Sequence, residues 1–176
     1  AIITGDFDLS SGEVLKVLVG QQGETDWNYS ALHDEWHGGS GGTFVVRSPY
    51  DTNSSILVIA GGGAGDRSKT TANYAITDAS LTSTGKNSSA IGPGWGHGGS
   101  NGNGGERGRA TSGTCTPGGG AGFFGDGQAC LDLRSSTPTA AKSFINGGAG
   151  GYFLGDKGTK IHGGFGGGGS GSWGGA

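Results

Sequence analysis

The sequence predicts a mainly β domain in which strands alternate with extended glycine threads and α-helix is essentially missing. Three observations carry this. First, β-branched runs of strand length stop abruptly in glycine, as in Ile56-Leu57-Val58-Ile59-Ala60 followed by Gly61-Gly62-Gly63. Second, the join recurs: Leu15-Lys16-Val17-Leu18-Val19 enters Gly20-Gln21-Gln22-Gly23, and Gly38-Gly39-Ser40-Gly41-Gly42 enters Thr43-Phe44-Val45-Val46. Third, glycine makes up 44 of 176 residues, against roughly 7% in ordinary globular chains. Glycine at that level usually means disorder. Here charge is low and 7 Phe, 4 Tyr and 4 Trp are spread along the chain, whereas disordered segments are poor in aromatics and rich in charge.

Taken in order, residues 1–47 read as β. Ile2-Ile3-Thr4 and Phe7-Asp8-Leu9 flank Gly5, and Leu9 to Glu13 is a Ser/Gly turn. Val14 to Val19 is apolar enough to predict a strand covered on both faces. Residues 24–37 form a polar loop holding Trp27, Tyr29 and Trp36. Thr43–Arg47 is a strand, Ser48–Ser54 a turn around Pro49, and Ile56–Ala60 a buried strand. One domain of 1–176 is expected, strand-rich over 1–60, with a polar insertion at 66–90 and a glycine-helix region at 92–176. Of the glycines, 13 precede residue 89 and 31 follow it, so the second half is glycine broken by single aromatics. Residues 138–145 offer a helical turn or two, ended by Asn146-Gly147.

Glycine tracts bury no side chains, and fixing each glycine costs extra backbone entropy. Every dry N–H and C=O still needs a partner. A threefold extended helix, with about 3.1 Å rise and no internal hydrogen bonds, lets bare glycine faces approach and bond one another. The prediction is therefore a bundle of polyglycine-II-type helices beside a partial β-sandwich, with aromatics supplying burial at the edges. A strict G-X-Y period is missing, which excludes collagen.

Cys115 and Cys130 flank a Gly- and Phe-rich loop, with neither a CxxC nor a nearby His pair. They read as one disulfide rather than a metal site, stabilising by roughly 3 kcal/mol in the chain-entropy model. Sequons stand at Asn28, Asn53 and Asn87. Together these features predict a secreted, extracellular or cell-surface chain carrying N-linked glycans. A net charge of −3 disfavours nucleic acid and anionic membranes as partners, and no apolar run approaches the roughly 20 residues of a transmembrane helix.

Catalytic motifs fail on inspection. His33-Asp34-Glu35-Trp36-His37 spaces two histidines like a helical zinc site, but Asp34 stands where a metalloprotease needs Glu and no helical pattern surrounds it. Gly61 and Gly63 begin a dinucleotide fingerprint that Asp66 breaks, and Gly85-Lys86-Asn87-Ser88 lacks the upstream glycine of a phosphate loop. Gly62 to Asp66 misses the calcium nonapeptide by one place and does not repeat. Gly105 to Arg109 is a single arginine-glycine box on an acidic chain. His97 and His162 stand alone in glycine sequence. No metal, cofactor or catalytic residue is expected, and the chain is predicted not to be an enzyme.

Several of these segments also carry a family resemblance. Val17 to Glu24, then His33, Glu35 and Trp36 leading into Gly38–Gly42, then Thr43 to Val46, Leu57 to Gly63, and Gly163 to Gly169 follow one another in order. They are similar to the glycine-rich extracellular domain of the anaplastic lymphoma kinase and leukocyte tyrosine kinase receptors. The resemblance implies a jelly-roll β-sandwich carrying glycine helices and no enzyme activity in the module. Ala1 starts inside the pattern and Ala176 stops inside a glycine tract, so a fragment of a longer chain, or a piece completed by another chain, is expected; missing strands would leave an exposed sheet edge open to strand addition.

The predicted function is a rigid extracellular scaffold that forms or decorates a surface fibril or coat. The alternative is a ligand-binding or adhesive receptor ectodomain presenting loops to a protein. Either way the partner is protein, a second copy or a ligand. Trp27, Tyr29, Trp36 and Tyr74 are the interface candidates, since aromatics are enriched at interfaces.

Overall fold

The computed structural model describes residues 2–26, 36–67, 78–87, 96–107, 118–129, 139–154 and 160–169. Among these residues the ordered structure is antiparallel β and extended chain, with two short 3-10 turns and no α-helix. Eight strands are present: β1 (Leu15–Leu18), β2 (Thr25–Asp26), β3 (Trp36–His37), β4 (Thr43–Arg47), β5 (Ile56–Ala60), β6 (Asp66–Arg67), β7 (Tyr152–Leu154) and β8 (Lys160–His162).

The first six strands form two three-stranded sheets in the orders β1-β4-β5 and β2-β3-β6. The two orders correspond. β1 leads through residues 19–24 into β2, β3 through 38–42 into β4, and β5 through 61–65 into β6. Three chain segments therefore run as β-strand, glycine thread and β-strand again, in the same lateral order throughout. The alternation read from the sequence is this architecture.

The threads differ from the strands in how they bond. A strand reaches two neighbours; the central thread 38–42 reaches three. Gly38 and Gly41 N–H donate to the carbonyls of Glu24 and Gln21, both at 2.8 Å. Gly39 and Gly42 donate to Gly169 and Gly166, and Ser40 donates to Gly63, at 2.8–2.9 Å. Residues three apart thus face the same neighbour. The thread 21–24 repeats the spacing, with Gln21 and Glu24 donating to Phe165 and His162 at 2.8 Å. Dry backbone groups find partners without a ladder, which answers the accounting that buried peptide groups impose.

At Gly38 and Gly41 this density leaves no room for a side chain. A Cβ on Gly41 would overlap the Phe165 carbonyl and stand 2.8 Å from Gly166 Cα; three residues back, one on Gly38 would overlap the His162 carbonyl. The β7–β8 hairpin extends the same way, since Gly163 and Gly166 donate to Gly151 and Gly148 at 2.7 Å.

The apolar core lies where the β1-β4-β5 sheet meets the glycine-rich second half. Phe44 and Val46 of β4 project from the inner face onto Phe123, which is 1% exposed. Phe123 stacks on Phe144 at 5.0 Å and 11°, and meets Phe124 edge-on at 4.7 Å. Phe44 closes the group, 5.3 Å from Phe144. Such ring geometries add to the stabilisation from burial alone.

Four expectations need correction. β1 is not covered on both faces: Val14, Val17 and Val19 are 61–66% exposed, because β1 is an edge strand and only Leu18 turns into the core. β5 is half-buried along its whole length rather than buried, because it is the opposite edge of the sheet. Residues 2–9, read as β, join no ladder among the described residues. The helical stretch at 138–145 is a single 3-10 turn at Phe144–Asn146, stopped by Gly147 at φ 97°. Thr139 instead makes an antiparallel bridge to Tyr152.

Candidate interaction surfaces

Among the described residues, two concave surfaces flank the β1-β4-β5 sheet. The first, about 600 Å³, lies on the β5 side. Its floor is apolar, with Ile56, Ile59 and Phe124, and its walls are bare glycine backbone, including 61–63 and 166–169. Leu81 stands at this surface, 84% exposed. Among the described lining residues the charged side chains are Asp78 and Lys86. The surface offers shape, apolar contact and peptide groups rather than a cluster of titratable groups.

The second groove, about 750 Å³, runs beside the opposite edge, along Lys16 to Val19 of β1. Leu18, Tyr50, Phe144, Ile145 and Phe165 line it, and Ile145 and Phe165 are 44% and 41% exposed. Tyr50 sits at φ 74°, a conformation that costs a non-glycine residue about 1–2 kcal/mol. It is held by its hydroxyl donating to the Val14 carbonyl at 3.2 Å and by Lys16 Nζ 4.2 Å from its ring centre.

Asp126 secures the loop carrying Phe144. Its Oδ1 accepts from the Ser143 N–H and from Asn146 Nδ2, each at 2.9 Å, and its Oδ2 accepts from Lys142 Nζ at 2.7 Å. Burial alone would push this carboxyl up, but the bonds from Asn146, Lys142 and Ser143 outweigh it and hold it well below the usual carboxylate range. A carboxylate favoured in the fold stabilises it fully above the unfolded-state value of about 3.9. That contribution is lost as pH falls from there through the depressed native value. Asp126→Ala is expected to cost about 2 kcal/mol near neutral pH, since charged hydrogen bonds are lost and a buried N–H is left bare. Denaturant melts should show the deficit shrinking below about pH 4.

The predicted site residues divide sharply. Trp27, Tyr29, Tyr74, Asn28, Cys115 and Cys130 lie outside the described residues, as do His33, Asp34 and Glu35. Trp36 is placed by its backbone in β3, opposite Asp26 and Arg67. Asn53 opens an exposed 3-10 turn closed by Ser55, whose buried hydroxyl donates to the Thr52 carbonyl at 2.6 Å. Asn87 is exposed, and its Oδ1 accepts from the Gly98 N–H at 3.1 Å. His37 pairs through Nδ1 with Thr25 Oγ1 at 2.9 Å. His162 faces Tyr152, ring centres 5.4 Å apart.

Ile145, Phe165 and Asp126 escaped the sequence reading. Phe165 is a lone hydrophobic in glycine sequence, Ile145 ends the stretch 138–145 that offers a helical turn, and Asp126 meets its partners 16 to 20 residues away. The chain matches no family model, no curated protein and no solved structure. The reading of these surfaces therefore stands on their own physics. Among the described residues, no helix is long and apolar enough to cross a membrane.

Proposed function

We propose that this chain is a non-enzymatic extracellular assembly domain, a rigid glycine-rich scaffold that forms or decorates a surface fibril or coat. Its stiff element is a bundle of polyglycine-II-type helices set against a partial jelly-roll-like β-sandwich. The observation that carries the reading is the three-residue recurrence in the bonding of threads 21–24 and 38–42 to each other and to residues 162–169, which turn at Phe165–Gly167. That recurrence is the one expected of extended threefold helices bonded side by side. Each thread then constrains its neighbours, and the block gains stiffness without a large hydrophobic interior.

Exposed valines on an edge strand support association, because an uncovered apolar edge is a template for pairing. The resemblance to receptor ectodomains supports an extracellular setting, with the sequons at Asn53 and Asn87 on exposed residues. The alternative, an ectodomain that binds a protein ligand, draws on the apolar concavity of about 600 Å³ beside β5, where Leu81 is 84% exposed. Size-exclusion chromatography with electron microscopy of pure protein separates the two. The assembly reading expects oligomers or filaments that grow with concentration. A strict monomer that binds one protein through a single patch would overturn it in favour of the alternative.

A further inference from the structure

Residues 2–9 carry a strand-like sequence but join no sheet among the described residues. Over residues 3–9, Ile3, Phe7 and Leu9 stand at odd positions with Gly5, and Thr4, Asp6 and Asp8 at the even ones, close to the period of a half-buried strand. Its apolar side chains are uncovered, from 42% exposed at Phe7 to 92% at Ile2. The Phe7 ring lies back over Gly5, as expected for positions two apart on one face. This arm is joined to β1 by a tight turn in which the Glu13 N–H donates to the Ser10 carbonyl at 3.0 Å and Gly12 takes φ 82°.

β1 is an edge without a partner. One side pairs with β4, and among the described residues nothing pairs with the other. A strand edge of this kind, uncovered and carrying one charge, invites another strand. The groove beside it supplies an apolar floor of Leu18, Phe144, Ile145 and Phe165. Lys16, the charged residue of β1, is opposite in sign to Asp6 and Asp8 of the arm.

The arm does not lie along its own edge. Arg47 of β4 donates from Nη2 to the Asp8 carbonyl at 2.9 Å, and its Nε lies 3.1 Å from Glu13 Oε1, a pairing by charge rather than an aligned hydrogen bond. The arm is thereby drawn toward β4, and Ile3 reaches the concavity beside Ile56 of β5. The free edge of β1 faces the other way.

We infer that residues 2–9 of one copy add as a strand to the free β1 edge of a second copy, laying Ile3, Phe7 and Leu9 into the groove of about 750 Å³ beside it. Eight extended residues span about 26 Å, enough to cover the whole of β1. Donor and acceptor are different patches on opposite sides of the sheet, so the contact is head-to-tail and propagates into an open filament. This inference rests on the assembly reading above and names the surface that performs it.

The test uses full-length chains. Ile3→Asp/Phe7→Asp spoils the arm, and Ile145→Asp spoils the groove; all three positions are exposed, so the fold is retained. Light scattering on size-exclusion peaks is expected to show each variant alone as a monomer and an equimolar mixture as a dimer, because one intact arm meets one intact groove. A labelled peptide of residues 2–9 is expected to bind the arm variant in fluorescence anisotropy and to bind Ile145→Asp at least about tenfold more weakly. Separate monomers in the mixture, or peptide binding unaffected by Ile145→Asp, overturns the inference. If both variants assemble like the parent, the scaffold reading survives and the arm contact does not. If the parent never assembles and the peptide does not bind, both fall.

Discussion

Gly41→Ala destabilises the fold by about 4 kcal/mol or more, whereas Gly61→Ala leaves it unchanged or stabilises it by up to about 1 kcal/mol. Both glycines border strands of the same sheet, and both changes add one methyl group. At Gly41 that methyl falls onto the Phe165 carbonyl and beside Gly166 Cα, which are backbone atoms of a thread that is itself bonded on other sides. No rotamer change relieves a clash between two main chains, so the threads must separate. Separation breaks the bonds from Gly41 to Gln21 and from Gly42 to Gly166. The cost therefore exceeds the roughly 1–3 kcal/mol of ordinary overpacking. At Gly61 a Cβ meets nothing within 4 Å, and only the unfolded chain feels the loss of freedom. Paired urea melts give the comparison directly. Equal stabilities for the two variants would mean that thread 38–42 is not held against 163–169.

Phe123→Ala costs about 3–5 kcal/mol, the range for removing a fully buried aromatic ring. Phe123 comes from the glycine-rich half of the chain, yet it is buried against β4 and between Phe124 and Phe144. Its removal leaves a cavity whose walls are a sheet on one side and glycine backbone on the other. Neither can collapse, since glycine threads have no side chains to move inward. Thermal melts of the variant should show an equally large loss in both halves of the chain, because this ring joins them. Phe165→Ala, partly exposed at 41%, is expected to change stability by less than about 1 kcal/mol.

The sequence was most legible where composition changed abruptly. The runs at 43–47 and 56–60 are strands with the bounds expected, because β-branched residues meet glycine on one side and a Pro- or Ser-rich turn on the other. β1 was read correctly as a strand and wrongly as a covered one. Apolar content fixes a preference for burial, but edge position decides whether anything is there to cover the outer face. The β7–β8 hairpin was hidden, since Tyr152-Phe153-Leu154 is too short to show a period between glycines. The Asp126 clamp was invisible for another reason: a lone aspartate reads the same whether it faces water or three donors from a distant loop.

Amide hydrogen exchange at Gly39, Gly41, Gly42 and Gly164 tests the central claim most directly, since these N–H groups donate to Gly169, Gln21, Gly166 and Gly39 respectively. Protection comparable to that of Phe44 and Val46 in the neighbouring strand is the result expected if glycine threads are ordered by bonding to one another. Exchange at the rate of an unstructured glycine peptide, with β4 still protected, would contradict it.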